Sequence, residues 1–176
     1  MLSTFTKYYH TLKYLKFTQI YYQLKYRWRK AIGYKSTESK KIFSGKSFEW
    51  INVIRPNTLW NAKNDFTFLN LSSRFEESID WNDSTHGKLW TYNINYFEYL
   101  LQADVNIDVG IDIMLKYIDD YSKLLDGLEP YPTSLRIINW IKFINEHQIE
   151  NFSVDHTIGK DAYRLMDNLE YHLLAN

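Results

Sequence analysis

Apolar positions recur at helical spacing along most of this chain and alternate at strand spacing in one place. Residues 2–32 carry one apolar line through Leu2, Phe5, Tyr9, Leu12 and Leu15. A second runs through Ile20, Leu24 and Trp28, with Lys25, Arg27, Arg29 and Lys30 around it; both lines fit an amphipathic helix. Residues 33–47, with Gly33, Gly45 and scattered Lys and Ser, read as a linker. Phe66, Phe68 and Asn70 then alternate weakly, and Phe75 and Ile79 extend the signal into a short irregular hairpin. Asp80, Trp81, Asn82 and Asp83 follow as a turn of the Asx type.

From Lys88 onward the pattern is helical. Leu89, Asn93, Phe97 and Leu100 form one stripe, and Tyr92, Asn95, Tyr96 and Tyr99 crowd the neighbouring face. The cleanest amphipathic helix is predicted over 108–125, with Val109, Ile113, Tyr117, Tyr121 and Leu124 on one side and Gly127 as C-cap. A last helix is predicted from about Ile158, turning Ala162, Leu165, Leu169, His172 and Leu173 inward. No stop signal precedes Asn176, so the chain reads as truncated. Short connections favour antiparallel helical hairpins. The expected class is all-α, an incomplete helical array with a minor β element near 66–80.

Between those helices lies the most distinctive stretch, residues 129–140, Glu-Pro-Tyr-Pro-Thr-Ser-Leu-Arg-Ile-Ile-Asn-Trp. Pro130 and Pro132 push Glu129 and Tyr131 out of the α region, so an extended approach is expected. Thr133 or Ser134 then caps a helix over 134–148, with Leu135, Ile138, Ile141 and Ile144 as its core line. Arg136, Asn139 and Trp140 fall off that line. Arg136 reads either as a surface arginine with a solvated head or as an anion-binding group beside a tryptophan platform.

Composition sharpens this only in part. The chain has 176 residues, enough for one domain or a piece of a larger one, and holds 15 Tyr, 10 Phe and 6 Trp. Tyrosine and tryptophan offer a flat apolar face with a polar edge, suited to sugars, bases and protein interfaces alike. There is no cysteine, hence no disulfide framework. The five histidines show no pair at metal-ligand spacing, and no metal or cofactor is expected. Net charge is zero but segregated: residues 1–46 carry 11 Lys/Arg against the single acid Glu38, and residues 47–176 carry ten against 20 acids. The basic part therefore has a partner of its own, an acidic surface or a polyanion. A basic amphipathic helix over 1–32 can lie on an anionic membrane or pack on the acidic remainder. No secretory signal or membrane-spanning run is legible, which points to the cytoplasm.

Three ordered stretches carry a resemblance. They are Leu-Trp-Thr-Tyr-Asn-Ile-Asn-Tyr-Phe at 89–97, the 129–141 stretch ending in Ile141, and Leu-Glu-Tyr-His-Leu-Leu-Ala-Asn at 169–176. Together they resemble the N-terminal helical domain of the heparinase II/III family, in the branch found among bacterial surface-polysaccharide genes. The resemblance implies an (α/α) toroid-like array over 47–176, behind a basic helical leader and linker over 1–46. It also implies a polysaccharide lyase that cleaves uronic-acid-containing chains by β-elimination. Such chemistry needs donors that neutralise the carboxylate beside C5, and a Tyr or His to move the protons. Asn176 aligns with the Asn of the family's Asn-His-x-x-Glu motif, whose His and Glu this chain does not contain. Activity of this polypeptide alone is therefore not expected.

The resemblance makes Asn176 the catalytic candidate and Tyr92, Asn93, Arg136 and Trp140 candidate contacts to an acidic polysaccharide; nucleic acid is not an expected partner. Trp90 and Trp140 read as core or as sugar platforms, Asn93 as a buried amide or a cleft donor, and His172 as structural. The alternative is a non-catalytic module that binds an acidic glycan or serves as a scaffold in polysaccharide synthesis.

Overall fold

The structure is a computed structural model, and it describes residues 13–34, 54–57, 59–61, 64–169 and 171. Among the described residues it is mostly helical with one two-stranded sheet. The helices are α1 (Phe17–Ala31), α2 (Lys88–Tyr96), α3 (Ile107–Asp119), α4 (Pro130–Glu146) and α5 (Phe152–Asp167), and the strands are β1 (Asp65–Phe68) and β2 (Leu71–Arg74). Short 3-10 turns cover Glu98–Leu101 and Tyr121–Lys123. The chain groups into two units, residues 1–37 with 167–176, and residues 38–166. The expected boundary between 46 and 47 lies outside the described residues. No described helix is long and apolar enough to cross a membrane.

The hairpin has the form its alternation predicts, but it is shorter. Phe66 and Phe68 point inward and Thr67 outward. Pairing of Asp65 with Arg74 and of Phe68 with Leu71 leaves a two-residue turn, in which Leu69 and Asn70 both have positive φ, the geometry that suits strand twist. Phe75 and Ile79 lie beyond the ladder. Asp80 Oδ1 accepts the Asn82 N–H at 2.9 Å, as an Asx turn requires.

The main body is held by an aromatic core centred on Phe97. Its ring meets Trp81, Tyr99, Tyr117 and Trp140 at centroid distances of 5.0–5.5 Å. Phe97 also ends α2 in the left-handed region at φ 59°, a conformation that bulky residues rarely adopt. Complete burial of the ring offsets that strain. Helix α3 starts at Asn106, whose side chain accepts the N–H groups of Asp108 and Val109. A Cβ on Gly110 would lie 2.3 Å from the Phe143 ring, so glycine there sets how closely α3 meets α4.

Three expectations about helices need correction. Helix α4 starts at Pro130, with Pro at N1 and Glu129 in the N-cap position. Proline is tolerated in a first turn because the N–H it lacks has no helical partner there. Helix α3 ends at Asp119, so Gly127 is not its C-cap. Helix α5 begins at Phe152, where Asn151 Oδ1 accepts from Ser153 and Val154. The buried faces also differ from the apolar lines. Helix α2 buries Trp90, Thr91, Ile94 and Asn95 and leaves Leu89 exposed; α4 buries Thr133, Arg136, Asn139, Trp140 and Phe143 and leaves Ile138 exposed. Helix α5 buries Val154, Thr157 and Asp161.

Candidate functional site

Arg136 is the organising cation of the body, and it is fully buried. Its Nε and Nη2 each lie 2.8 Å from Asp161 Oδ2. Nη1 donates to the Gly127 carbonyl at 2.8 Å and to that of Asn95 at 3.4 Å. The guanidinium stands over the Tyr117 ring at 5.0 Å, and Tyr121 donates to Asp161 Oδ1 at 2.6 Å. Burial would pull the Arg136 pKa down, but Tyr117, Asp161 and Tyr121 outweigh it and keep the group charged. The side chain expected to meet a polyanionic sugar has its donors turned to protein acceptors. Trp140, only 1 % exposed, is likewise core and no sugar platform.

What Arg136 does is hold a loop. Gly127 has φ 82°, and a Cβ there would fall 2.4 Å from the Asn95 side chain; only glycine fits. On the other side Asn82 accepts the N–H of Leu125 at 2.7 Å and donates to the Lys123 carbonyl at 3.1 Å. The loop is thereby presented to the outer face of α2, where a surface cluster forms. Lys88 Nζ lies 2.7 Å from Glu129 Oε1 and 3.1 Å from Asp126 Oδ1. Glu129 Oε2 accepts the Gly127 N–H at 2.9 Å, and Lys88 stands 5.3 Å from the Tyr92 ring centre. Tyr92 continues to Tyr96 at 6.4 Å, and Tyr96 meets Tyr131 edge to face at 5.7 Å. Tyr131 is 56 % exposed and offers its ring to solvent.

The cluster's ionisation follows from these contacts. Burial is the largest single influence and raises the Glu129 pKa, but hydrogen bonds from Lys88 and Tyr92 together outweigh it and hold the carboxyl below its ordinary value. Lys88 is raised by Glu129 first and Asp126 second. Tyr92 is raised by burial and then by Glu129, so its phenol is kept protonated. A tyrosine acting as proton acceptor needs the opposite shift. The arrangement offers a hydroxyl, a carboxylate, an ammonium and an exposed ring. Groups of this kind can hydrogen-bond and stack against a polar ligand.

Of the residues singled out from the sequence, Tyr92 belongs to this cluster. Asn93 is half-buried and donates to its own helix, at the Leu89 carbonyl, 2.8 Å away. Asn176 and His172 lie outside the described residues. Lys88, Asp126, Glu129, Tyr96 and Tyr131 are the members that reading the sequence missed. The i, i+4, i+8 spacing of Lys88, Tyr92 and Tyr96 was the available signal. A separate cleft of about 200 Å³ is lined by Glu77, Asp119 and Asp120 with Ile79, Trp81 and Lys116. It is smaller than the usual ligand pocket, and its acids oppose a polyanion. Among the described residues no group of three or more His, Asp or Glu could hold a metal ion.

No model of a known family, no curated protein and no solved structure matches this chain.

Proposed function

We propose that the main body is a non-catalytic helical module that binds a glycan through Tyr131, Tyr92, Glu129 and Lys88, with the buried Tyr96 packed behind Tyr131. The observation that carries this reading is the cluster itself. An exposed tyrosine ring lies beside a fixed carboxylate and ammonium, a combination that stacks on sugar C–H faces and hydrogen-bonds sugar hydroxyls. Lys88 is shared by two carboxylates, so the surface relies on hydroxyl contacts more than on anion pairing. The raised phenol of Tyr92 supports binding over proton abstraction.

The resemblance of residues 89–97, 129–141 and 169–176 to heparinase II/III-like lyases supports a second reading. In it the chain is the N-terminal part of an (α/α) toroid whose full protein cleaves uronic-acid-containing polysaccharide. The 176-residue chain is to be tested by affinity electrophoresis against hyaluronan, heparan sulfate and a neutral glucan, with ultraviolet absorbance read for unsaturated uronate. The binding reading expects retardation by at least one glycan and about a tenfold loss of affinity in Tyr131→Ala. It expects little salt dependence and no rise in absorbance. Absence of retardation, or unchanged retardation in both Tyr131→Ala and Glu129→Gln, overturns it. A rise in absorbance establishes the lyase reading instead.

A further inference from the structure

Helix α1 has two faces of different chemistry, and among the described residues of its unit only one has a partner. Tyr22, Tyr26 and Arg29 lie on one side. Tyr22 packs on Tyr171 at 4.7 Å, Tyr26 donates to the Leu169 carbonyl, and Arg29 donates to the Asp167 carbonyl at 2.7 Å. On the opposite side Phe17, Tyr21, Leu24, Trp28 and Ile32 are 83, 53, 60, 64 and 53 % exposed. At 3.6 residues per turn these five fall within an arc of about 80°. They form a continuous apolar stripe about 22 Å long, judged from the 1.5 Å rise per residue. The stripe keeps Leu24 and Trp28 of the line that hydrophobic spacing suggested, while Ile20 stands at its edge and is half-buried.

The charge around the stripe names the partner. Residues 13–34 contain Lys13, Lys16, Lys25, Arg27, Arg29 and Lys30 and no acid. Lys25 borders one edge of the stripe and Arg27 the other, and Lys16, Arg27 and Lys30 are exposed. We propose that α1 is a membrane-surface helix that lays Phe17, Tyr21, Leu24, Trp28 and Ile32 into the interface of an anionic bilayer, with the flanking cations at its headgroups. An acidic protein surface would need the cations at the centre of the contact. Here large apolar side chains hold the centre and cations the edges, the pattern of a helix lying in a bilayer interface. The helix is too short and too polar to cross a membrane, so the contact is peripheral.

The test is co-sedimentation of the full chain with phosphatidylcholine vesicles and with vesicles that also contain phosphatidylglycerol. Quenching of tryptophan fluorescence by brominated lipid is read in the same samples. Binding to the anionic vesicles alone is expected, with quenching that disappears in Trp28→Phe. Lys25→Gln with Arg27→Gln should weaken binding roughly 10- to 30-fold, the scale for two cations near an anionic surface. Leu24→Gln with Trp28→Gln should abolish it. None of these positions is buried, so an unchanged circular dichroism spectrum confirms that each variant is folded. The proposal is overturned by no binding to anionic vesicles, by equal binding to both vesicle types, or by binding that survives the Leu24 and Trp28 substitutions. It is also overturned if the stripe substitutions dissociate a dimer while vesicle binding is absent.

Discussion

Arg136 shows what a buried charge needs in order to be tolerated. Its fork is closed by one carboxylate and two backbone carbonyls, and the carboxylate is in turn held by the Tyr121 hydroxyl. Truncating one partner strands the other in a site with no access to water. Arg136→Met or Asp161→Asn is therefore expected to cost about 3–5 kcal/mol in urea unfolding. Replacing both with apolar residues should cost less than the two single changes added together, because no lone charge is left behind. Single variants within about 1 kcal/mol of the parent would show that water reaches the pair. The same residue explains why Tyr92, Glu129 and Lys88 meet at the surface. The Gly127 carbonyl it holds fixes the path of the loop that brings Glu129 to α2.

Element by element, what could be read from spacing depended on whether a face is closed by apolar contact or by pairing. Helix α3 buries Ile113 and Tyr117 as its apolar line predicts, because its exposed side is charged through Asp112, Lys116 and Asp119. Helices α2, α4 and α5 turn Thr91, Asn95, Thr133, Arg136, Asn139, Thr157 and Asp161 inward. A hydrophobic stripe cannot reveal such a face, since Asn95, Arg136, Asn139 and Asp161 are made acceptable by partners far along the chain. Asn139 donates to the Tyr96 carbonyl, and Asn95 to that of Trp81. The site was partly legible for the same reason: Tyr92 stood out by residue type, whereas Glu129 reaches it only through Asn82 and Arg136. Caps belong to this scale too. Asn106 satisfies two orphan N–H groups of α3, so Asn106→Ala should lower stability by about 1 kcal/mol in urea unfolding. A loss under about 0.3 kcal/mol would mean that water replaces the cap at no cost.

For the whole molecule, acid is the condition to which this network is exposed. Glu129 and Asp83 both have folded pKa values below their ordinary 4.5 and 3.8. The unfolded chain thus takes up these protons first as the pH falls. Their contribution to stability is complete above those ordinary values and is lost as the pH drops through the lower folded ones. Asp155, raised by burial and by Glu150, works in the opposite sense. Lys88, raised, contributes below its ordinary 10.5 and loses that contribution only in strong alkali. Glu129→Gln should therefore flatten the acid limb of a plot of unfolding free energy against pH and leave its slope around neutrality unchanged. An acid limb of unaltered slope would count against the cluster. Order of synthesis adds a constraint that the finished fold conceals. On a ribosome Arg136 emerges ahead of Asp161, which lies 25 positions further along. At about 5–20 residues per second the interval is about one to five seconds. Throughout it the guanidinium lacks Asp161, its carboxylate partner in the fold. Closure of the aromatic interior around Arg136 is therefore expected to follow the emergence of α5.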